Sequence, residues 1–420
     1  MRRTCMLWVV LLACVVFSVA FPLWADGLRN PPPGAVGLGR AGVAIAEVAD
    51  ASAVFYNPAN LALIQGCSVE AAVSIAHSTM DYSRPGYSVS SDTDWQVLPN
   101  LFMATPVQYG GKKFSLGLGL STPFGQGVDW AQDSFVKYNS PYSAQMSMIN
   151  VNPSAAFHLT ESVLLGAGVD VYWSRLKFKQ SFPWAMALKN PVLPDGVASF
   201  QGDGTAAGGN VGLTWLITKA QRLALTYRSR FDVSYDGDFD VSNLPQGTPL
   251  SSASPFSSKL KFPDILGAGY SVELTPNWNV EADVEWITWS RNDAQPIDIG
   301  VNNLLLPPNA RVVNNEWRDT FTAGVSTEYR FATEWAVRAG YVFLQSPIPD
   351  RTFSPILGDT DTHVLSLGLG WHRGRHAFNA AYALNIYEDR NITDNQAPAL
   401  NGDYSLSSDL ISLSYVVTFL

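Results

Sequence analysis

Past its first 25 residues, no stretch of this chain approaches the 18 or more consecutive apolar residues a membrane helix needs, yet apolar residues recur at every second place in segment after segment. Such a chain is confined to strands. The period reads plainly in Phe114, Leu116, Leu118 and Leu120, with Ser115, Gly117 and Gly119 between them, and in Leu223, Leu225 and Tyr227 among Arg222, Thr226 and Arg228. It recurs in Val280, Ala282, Val284 and Trp286, separated by Glu281, Asp283 and Glu285. A slip of one residue would carry those carboxylates to the apolar face, so the faces are determined and the acids point inward.

Fourteen such segments run from Cys67 to Leu420, at about 68–78, 95–107, 113–121, 148–160, 162–178, 205–218, 221–234, 258–274, 277–290, 314–329, 334–344, 360–373, 375–387 and 405–420. Short links such as 107–113, 160–162, 218–221 and 372–375 take turns with long ones at 79–94, 122–147, 179–204, 235–257, 291–313, 345–359 and 388–404. An up-and-down meander with an even number of strands gives that series, with short periplasmic turns and long extracellular loops. A soluble sandwich or propeller has no reason to segregate loop length in this way. The expected fold is all-β, a transmembrane antiparallel barrel of 14 strands.

Composition agrees. Charged residues are 15%, against roughly 25% in soluble domains, while aromatics reach 12% with 13 Trp. Trp173, Trp215, Trp278, Trp317, Trp335 and Trp371 fall in or near strand ends, where an interfacial girdle belongs. A net charge of −9 argues against nucleic acid as a partner, because counterion release needs clustered Lys and Arg.

Residues 1–25 read as a secretory signal: Arg2-Arg3, an apolar core from Met6 to Phe21, then Leu23-Trp24-Ala25 as the cleavage site before Asp26. The alternatives are a membrane anchor and, at Leu11-Leu12-Ala13-Cys14, a lipoprotein processing site. Pro22 directly follows the short core, and the core continues past Cys14. Cleavage would leave Cys67 as the one thiol, so no internal disulfide is expected.

Residues 26–66 precede the barrel segments, and 34–66 within them are rich in Gly and Ala and reach Asn57-Pro58-Ala59. Small residues let backbone pack close to backbone, as in a plug. Gly37-Leu38-Gly39-Arg40-Ala41-Gly42 matches a dinucleotide-binding fingerprint, but Pro31-Pro32-Pro33 stands where the required strand would be. The glycine-rich run leading to Asn57-Pro58-Ala59, Leu98-Pro99-Asn100 and Ser346-Pro347-Ile348-Pro349-Asp350 resemble their counterparts in the FadL/TodX family of outer-membrane transporters for hydrophobic compounds. That resemblance implies a hatch over 26–66 inside a barrel of 67–420, gating by Asn57, Pro58 and Ala59, and a lateral opening, for which Gly117 and Gly119 are the candidates. It implies capture of a hydrophobic molecule from the medium or from lipopolysaccharide in a groove of the long loops. The last strand, Ile411, Leu413, Tyr415, Val417 and Phe419, resembles the recognition strand of barrels handled by the assembly machinery, with Leu420 in place of a terminal aromatic.

Chemistry is sparse. His372 and His376 have metal-like spacing but lie on an expected tight turn, and no carboxylate is paired with a nucleophile, so neither enzyme nor cofactor is expected. Apolar residues do crowd expected loops: Phe124, Trp130, Phe135 and Tyr142, then Phe182, Trp184, Met186 and Leu188. Loop packing and ligand capture both call for such surface. Inward parity sets Arg228, Arg230, Arg318 and Arg338 against Glu281, Asp283 and Glu285, and most should pair. An unpaired arginine would hold a fatty-acid carboxylate, whereas aromatic hydrocarbons need none. A polar-solute porin and a surface receptor or adhesin complete the alternatives.

Overall fold

From Cys67 onward the backbone alternates buried and outward-facing residues as the sequence does, because one face of each strand meets lipid and the other a filled interior. The computed structural model describes residues 26–92, 95–110, 112–306, 308 and 311–419; the leader, with Cys5 and Cys14, and Leu420 lie outside them. Fourteen wall strands follow in order: β1 (Cys67–Arg84), β2 (Gln96–Tyr109), β3 (Lys112–Ser121), β4 (Ser143–His158), β5 (Val163–Phe182), β6 (Gly196–Thr218), β7 (Gln221–Arg228), β8 (Ile265–Thr275), β9 (Trp278–Ile287), β10 (Thr320–Tyr329), β11 (Trp335–Leu344), β12 (Thr362–Arg373), β13 (His376–Tyr387) and β14 (Gly402–Phe419). Each pairs antiparallel with its successor. The ladder from Cys67↔Phe419 to Ser83↔Asp403 joins β14 to β1, so no edge remains.

Several strands run farther than the sequence pattern gives, since β5 has 20 residues and β6 has 23 where about 9–11 span a bilayer. Half of the expected 179–204 loop is therefore hairpin wall, and 183–195 lies outside it. Two expected strands are broken. The 221–234 segment divides after Arg228 and resumes as Phe231–Val241, and 258–274 divides into Ala253–Phe262 and β8. Pro263 has no N–H for the ladder, and the Asp264 carboxylate takes the Arg230 N–H at 3.1 Å and the Tyr227 hydroxyl at 2.7 Å instead. The upper halves then send Phe231, Val233, Tyr235, Phe256 and Phe262 into a core over the lumen.

The girdle is formed in part by the expected residues: Trp215, Trp278 and Trp335 are exposed on the outer face near the short turns. Trp317 is a correction. It lies before β10 begins, is 4% exposed, and meets Trp289 edge-on at 5.1 Å inside the cap.

Candidate functional site

Residues 26–66 pack inside the wall as short turns, and the small cluster formed by Ala44, Val48, Ala53, Val54, Leu61 and Ile64 is completed by Phe102, Ala104 and Ala156 of the wall. The helical turns Ala35–Leu38 and Ala53–Tyr56 and the tighter turn Pro58–Leu63 press on lumen-facing residues of the strands. What pins them is largely barrel polarity. Asp283 on β9 accepts the N–H groups of Ala44 at 2.7 Å and Ile45 at 3.0 Å, and Glu281 accepts that of Ala46 at 2.5 Å. The inward carboxylates read from the sequence thus satisfy hatch backbone. Arg40, 3% exposed, reaches Glu281 and Glu328, each at 3.4 Å.

Asn57, fully buried, donates from Nδ2 to Ile45 O and to Thr214 Oγ1, both at 2.9 Å, and its Oδ1 accepts the Ala59 N–H at 3.0 Å. Pro58 begins the tight turn, where its missing N–H costs nothing. The turn lies directly on the wall because Gly166 on β5 and Gly212 on β6 face it: a Cβ at Gly166 would overlap the Pro58–Ala59 peptide, and one at Gly212 the Asn57 side chain. Thr214, Gly166 and Gly212 are the partners that sequence reading missed, and glycines at inward parity were the signal for them.

Gly117 and Gly119, the sequence candidates for a lateral opening, lie on β3. Gly117 pairs with Ala104 and Ser154, and Gly119 with Phe102 and Asn152, in continuous ladders; Gly117 makes room for Val54 and Leu61, and Gly119 for Val54 and Phe102. The discontinuity is one strand on. Pairing of β4 with β5 stops at Val151↔Val171 and resumes at Ser154↔Gly168, skipping Asn152, Pro153, Val169 and Asp170. Pro153 supplies no N–H there. Asp170 turns inward and takes Asn150 Nδ2 and Asn210 Nδ2, each at 2.7 Å, and the Arg228 guanidinium.

Above the hatch a cavity of about 110 Å³ is lined by Arg29, Phe55, Pro58, Phe124, Arg228 and Glu285. Its arginines are engaged: Arg228 with Asp170 and, at 3.0 Å, with Phe55 O, and Arg29 with Asp26 and Glu285 at 2.8 Å each. Arg338 faces inward as expected, but below the hatch, bonded to Glu328 at 2.7 Å and Asn379 at 3.0 Å. There it lines a cleft of about 480 Å³ at the short-turn end. Arg318 does not face the lumen: it is exposed beyond the end of β10, where the chain has left the ladder, and Arg230 is likewise exposed at the break after β7.

The loop aromatics separate into two groups. The Phe124 ring lies 4.9 Å from that of Phe262, Trp130 donates to Pro355 O at 3.0 Å, and Trp184 to Ser242 O at 3.0 Å, with all three rings buried in the cap and the Phe182 ring tilted against Trp184 at 4.6 Å. Met186 and Leu188, at 69% and 43% exposure, face outward with Val192. At the opposite end, His376 sits beside a turn and bonds the Tyr415 hydroxyl at 2.7 Å.

A closed fourteen-stranded wall, apolar outside and with residues 26–66 packed within it, defines a multi-pass transport barrel of the bacterial outer membrane. The chain belongs to the outer membrane protein transport protein family, OMPP1/FadL/TodX, whose sequence model matches residues 16–419. It is 24% identical over 409 residues to a long-chain fatty acid transport protein of Salmonella typhi, covering 89% of each. Identity to that of Escherichia coli K12 is 22%, over 89% of this chain and 90% of the other. The fold is shared with a Pseudomonas aeruginosa FadL homologue, at TM-score 0.81 and 20% identity over 94% and 100% of the two chains. It is shared also with the Pseudomonas putida toluene transporter TodX, at TM-score 0.69 and 19% identity over 92% and 98%.

Proposed function

We propose that this barrel takes up hydrophobic molecules, long-chain fatty acids first among them, and releases them sideways into the bilayer between β4 and β5. The observation that carries the reading is adjacency: the Asn57-Pro58-Ala59 turn rests on Gly166, two residues from the interrupted pairing at Gly168. The cavity above touches the same seam through Asn210 and Arg228. An oily molecule crosses a polar lumen poorly, and a side exit into lipid avoids that passage. Met186, Leu188 and Val192 offer the outer capture surface, facing the medium and the lipopolysaccharide layer. Residues 1–25 act as the export signal, and β14 is the strand offered to the assembly machinery.

A second reading, uptake of neutral aromatic hydrocarbons, is favoured by the state of the cavity arginines. A carboxylate must displace Asp170 from Arg228, whereas a hydrocarbon leaves that pair intact. Titration with oleate and with toluene, read by Trp fluorescence and calorimetry, separates the two. Saturable oleate binding that weakens about 10–100-fold in Arg228→Ala, the worth of a charged hydrogen bond, supports the fatty-acid reading. Toluene binding without oleate binding moves the assignment to hydrocarbons. Binding of neither, with free ion conduction, replaces both by a porin. Asn57→Ala combined with Pro58→Ala is expected to lower uptake while the barrel still assembles, and unchanged uptake would remove the hatch from the mechanism.

A further inference from the structure

At its upper end the hatch begins against a buried carboxylate with no cation. The backbone N–H of Asp26 points to Asp359 Oδ1 at 3.2 Å, that of Gly27 to Oδ2 at 3.1 Å, and Ser346 Oγ donates to Oδ2 at 3.0 Å. Asp26 and Asp359 are each 1% exposed. Among the described residues no Lys or Arg side chain is bonded to the Asp359 carboxylate. Arg390 is near, but it donates to the Asp359 backbone oxygen at 2.8 Å and to the Asp350 carboxylate at 2.6 Å. Arg29 is held by Asp26 and Glu285. The carboxylates of Asp26 and Glu285 thus share the guanidinium of Arg29, and the Asp359 carboxylate has no part of it. Burial, and then the Asp26 carboxylate, push the Asp359 carboxyl up to about 7, as befits an acid lacking a counter-ion.

Two further facts converge on the same atom. The leader ends at Leu23-Trp24-Ala25, so the nitrogen beside Asp359 is the one that cleavage would free. Asp26 also has φ 96°, a conformation that L side chains rarely adopt.

We infer that the chain is processed between Ala25 and Asp26, and that the new α-ammonium of Asp26 is the buried counter-ion of Asp359. A leader peptidase of the export route hydrolyses the amide with one water: the water oxygen makes the carbonyl the leader's terminal carboxylate, and the nitrogen keeps the electron pair of the broken C–N bond and takes up both of the water's protons. The ammonium then meets Asp359 where the amide had offered a single N–H. Because Asp26 also lines the central cavity, processing completes that wall. None of this depends on which ligand is carried.

The test uses the full-length gene expressed for export and the barrel purified from outer membranes. Intact mass is expected to give a chain starting at Asp26, and any other first residue overturns the inference. The α-amine is then reductively methylated with ¹³C-formaldehyde and titrated by NMR. Its midpoint is expected at least one unit above the ordinary value of about 7.7–8.0, and to fall by at least tenfold in proton affinity in Asp359→Asn, with Asp350→Asn as the unaffected control. Heat-modifiable gel migration verifies assembly of each variant. A wild-type midpoint at the ordinary value overturns the ion pair without any variant, and equal midpoints in wild type and Asp359→Asn do so as well.

Discussion

At the scale of single residues, glycines at inward parity do what no side chain could, by letting the hatch touch the wall. Gly166 and Gly212 face Asn57, Pro58 and Ala59, and a Cβ at either would overlap that turn. Gly166→Val is therefore expected to lift the turn while the outer face of β5 is unchanged. Overpacking of this kind costs about 1–3 kcal/mol. Limited proteolysis of the folded barrel should cut within 57–66 faster in the variant, and unchanged cleavage would mean that the contact is dispensable. Asn57-Pro58-Ala59 was legible in the sequence because Asn and Pro have definite roles at a turn start, and Asn57 does cap it. The glycines facing it were visible as residues, but their partners were not, since period-2 alternation gives a face and not what lies across it. Arg318 shows the same limit. Parity was extended past the end of a strand, and it has no meaning once the ladder stops before Thr320.

At the scale of elements, the hatch segment 43–46 belongs to no helix or strand, and the wall supplies the partners its backbone lacks from residue 44 on. Its N–H groups go to Asp283 and Glu281, and the Val43 carbonyl accepts from Ser326 Oγ at 2.9 Å. Hydrogen bonds to charged acceptors are worth about 1.5–3 kcal/mol each, so Asp283→Ala should speed amide exchange at Ala44 and Ile45 by roughly 10–100-fold. Exchange at wild-type rates would show that other contacts hold the segment. The seam between β4 and β5 is the corresponding weak element of the wall. Val151 and Val171 are the last pair before it and both face lipid. A disulfide between Val151→Cys and Val171→Cys, in a Cys67→Ser background, is expected to lower uptake more than tenfold and reductant to restore it. Full uptake by the oxidised form would place the exit elsewhere. Sequence reading found the strands here but looked for the weakness at Gly117 and Gly119, because glycine is the usual mark of a slack strand. The interrupted pairing falls at Pro153, whose missing N–H counts only once its partner strand is known.

At the scale of the whole molecule, the two attachments of the hatch differ in kind, and that difference says which part moves. Its base is tied by charges on several strands: Arg40 to Glu281 and Glu328, and Glu328 onward to Arg338. Releasing it would strand buried charges, which is costly. The Asn57-Pro58-Ala59 turn is held by neutral hydrogen bonds and close packing, each worth about 0.5–1.5 kcal/mol net, so a ligand entering the cavity beside it can displace it locally. The barrel should therefore open by shifting residues 57–63 away from the seam while 40–46 stay in place. Short thiol crosslinks distinguish this from expulsion of the whole hatch. Val43→Cys with Gly324→Cys ties the base to β10, because the side chain of one already meets the backbone of the other, and Asn60→Cys with Thr214→Cys ties the turn to β6, because those two side chains already touch at 2.6 Å. Both are made in the Cys67→Ser background and reconstituted in vesicles. The base tether is expected to leave hydrophobic uptake near wild type and the turn tether to abolish it, with ion conductance low in both because the lumen stays filled. Loss of uptake with the base tether would mean that the hatch leaves as one body, and the release of buried charge would then have to be driven by the ligand.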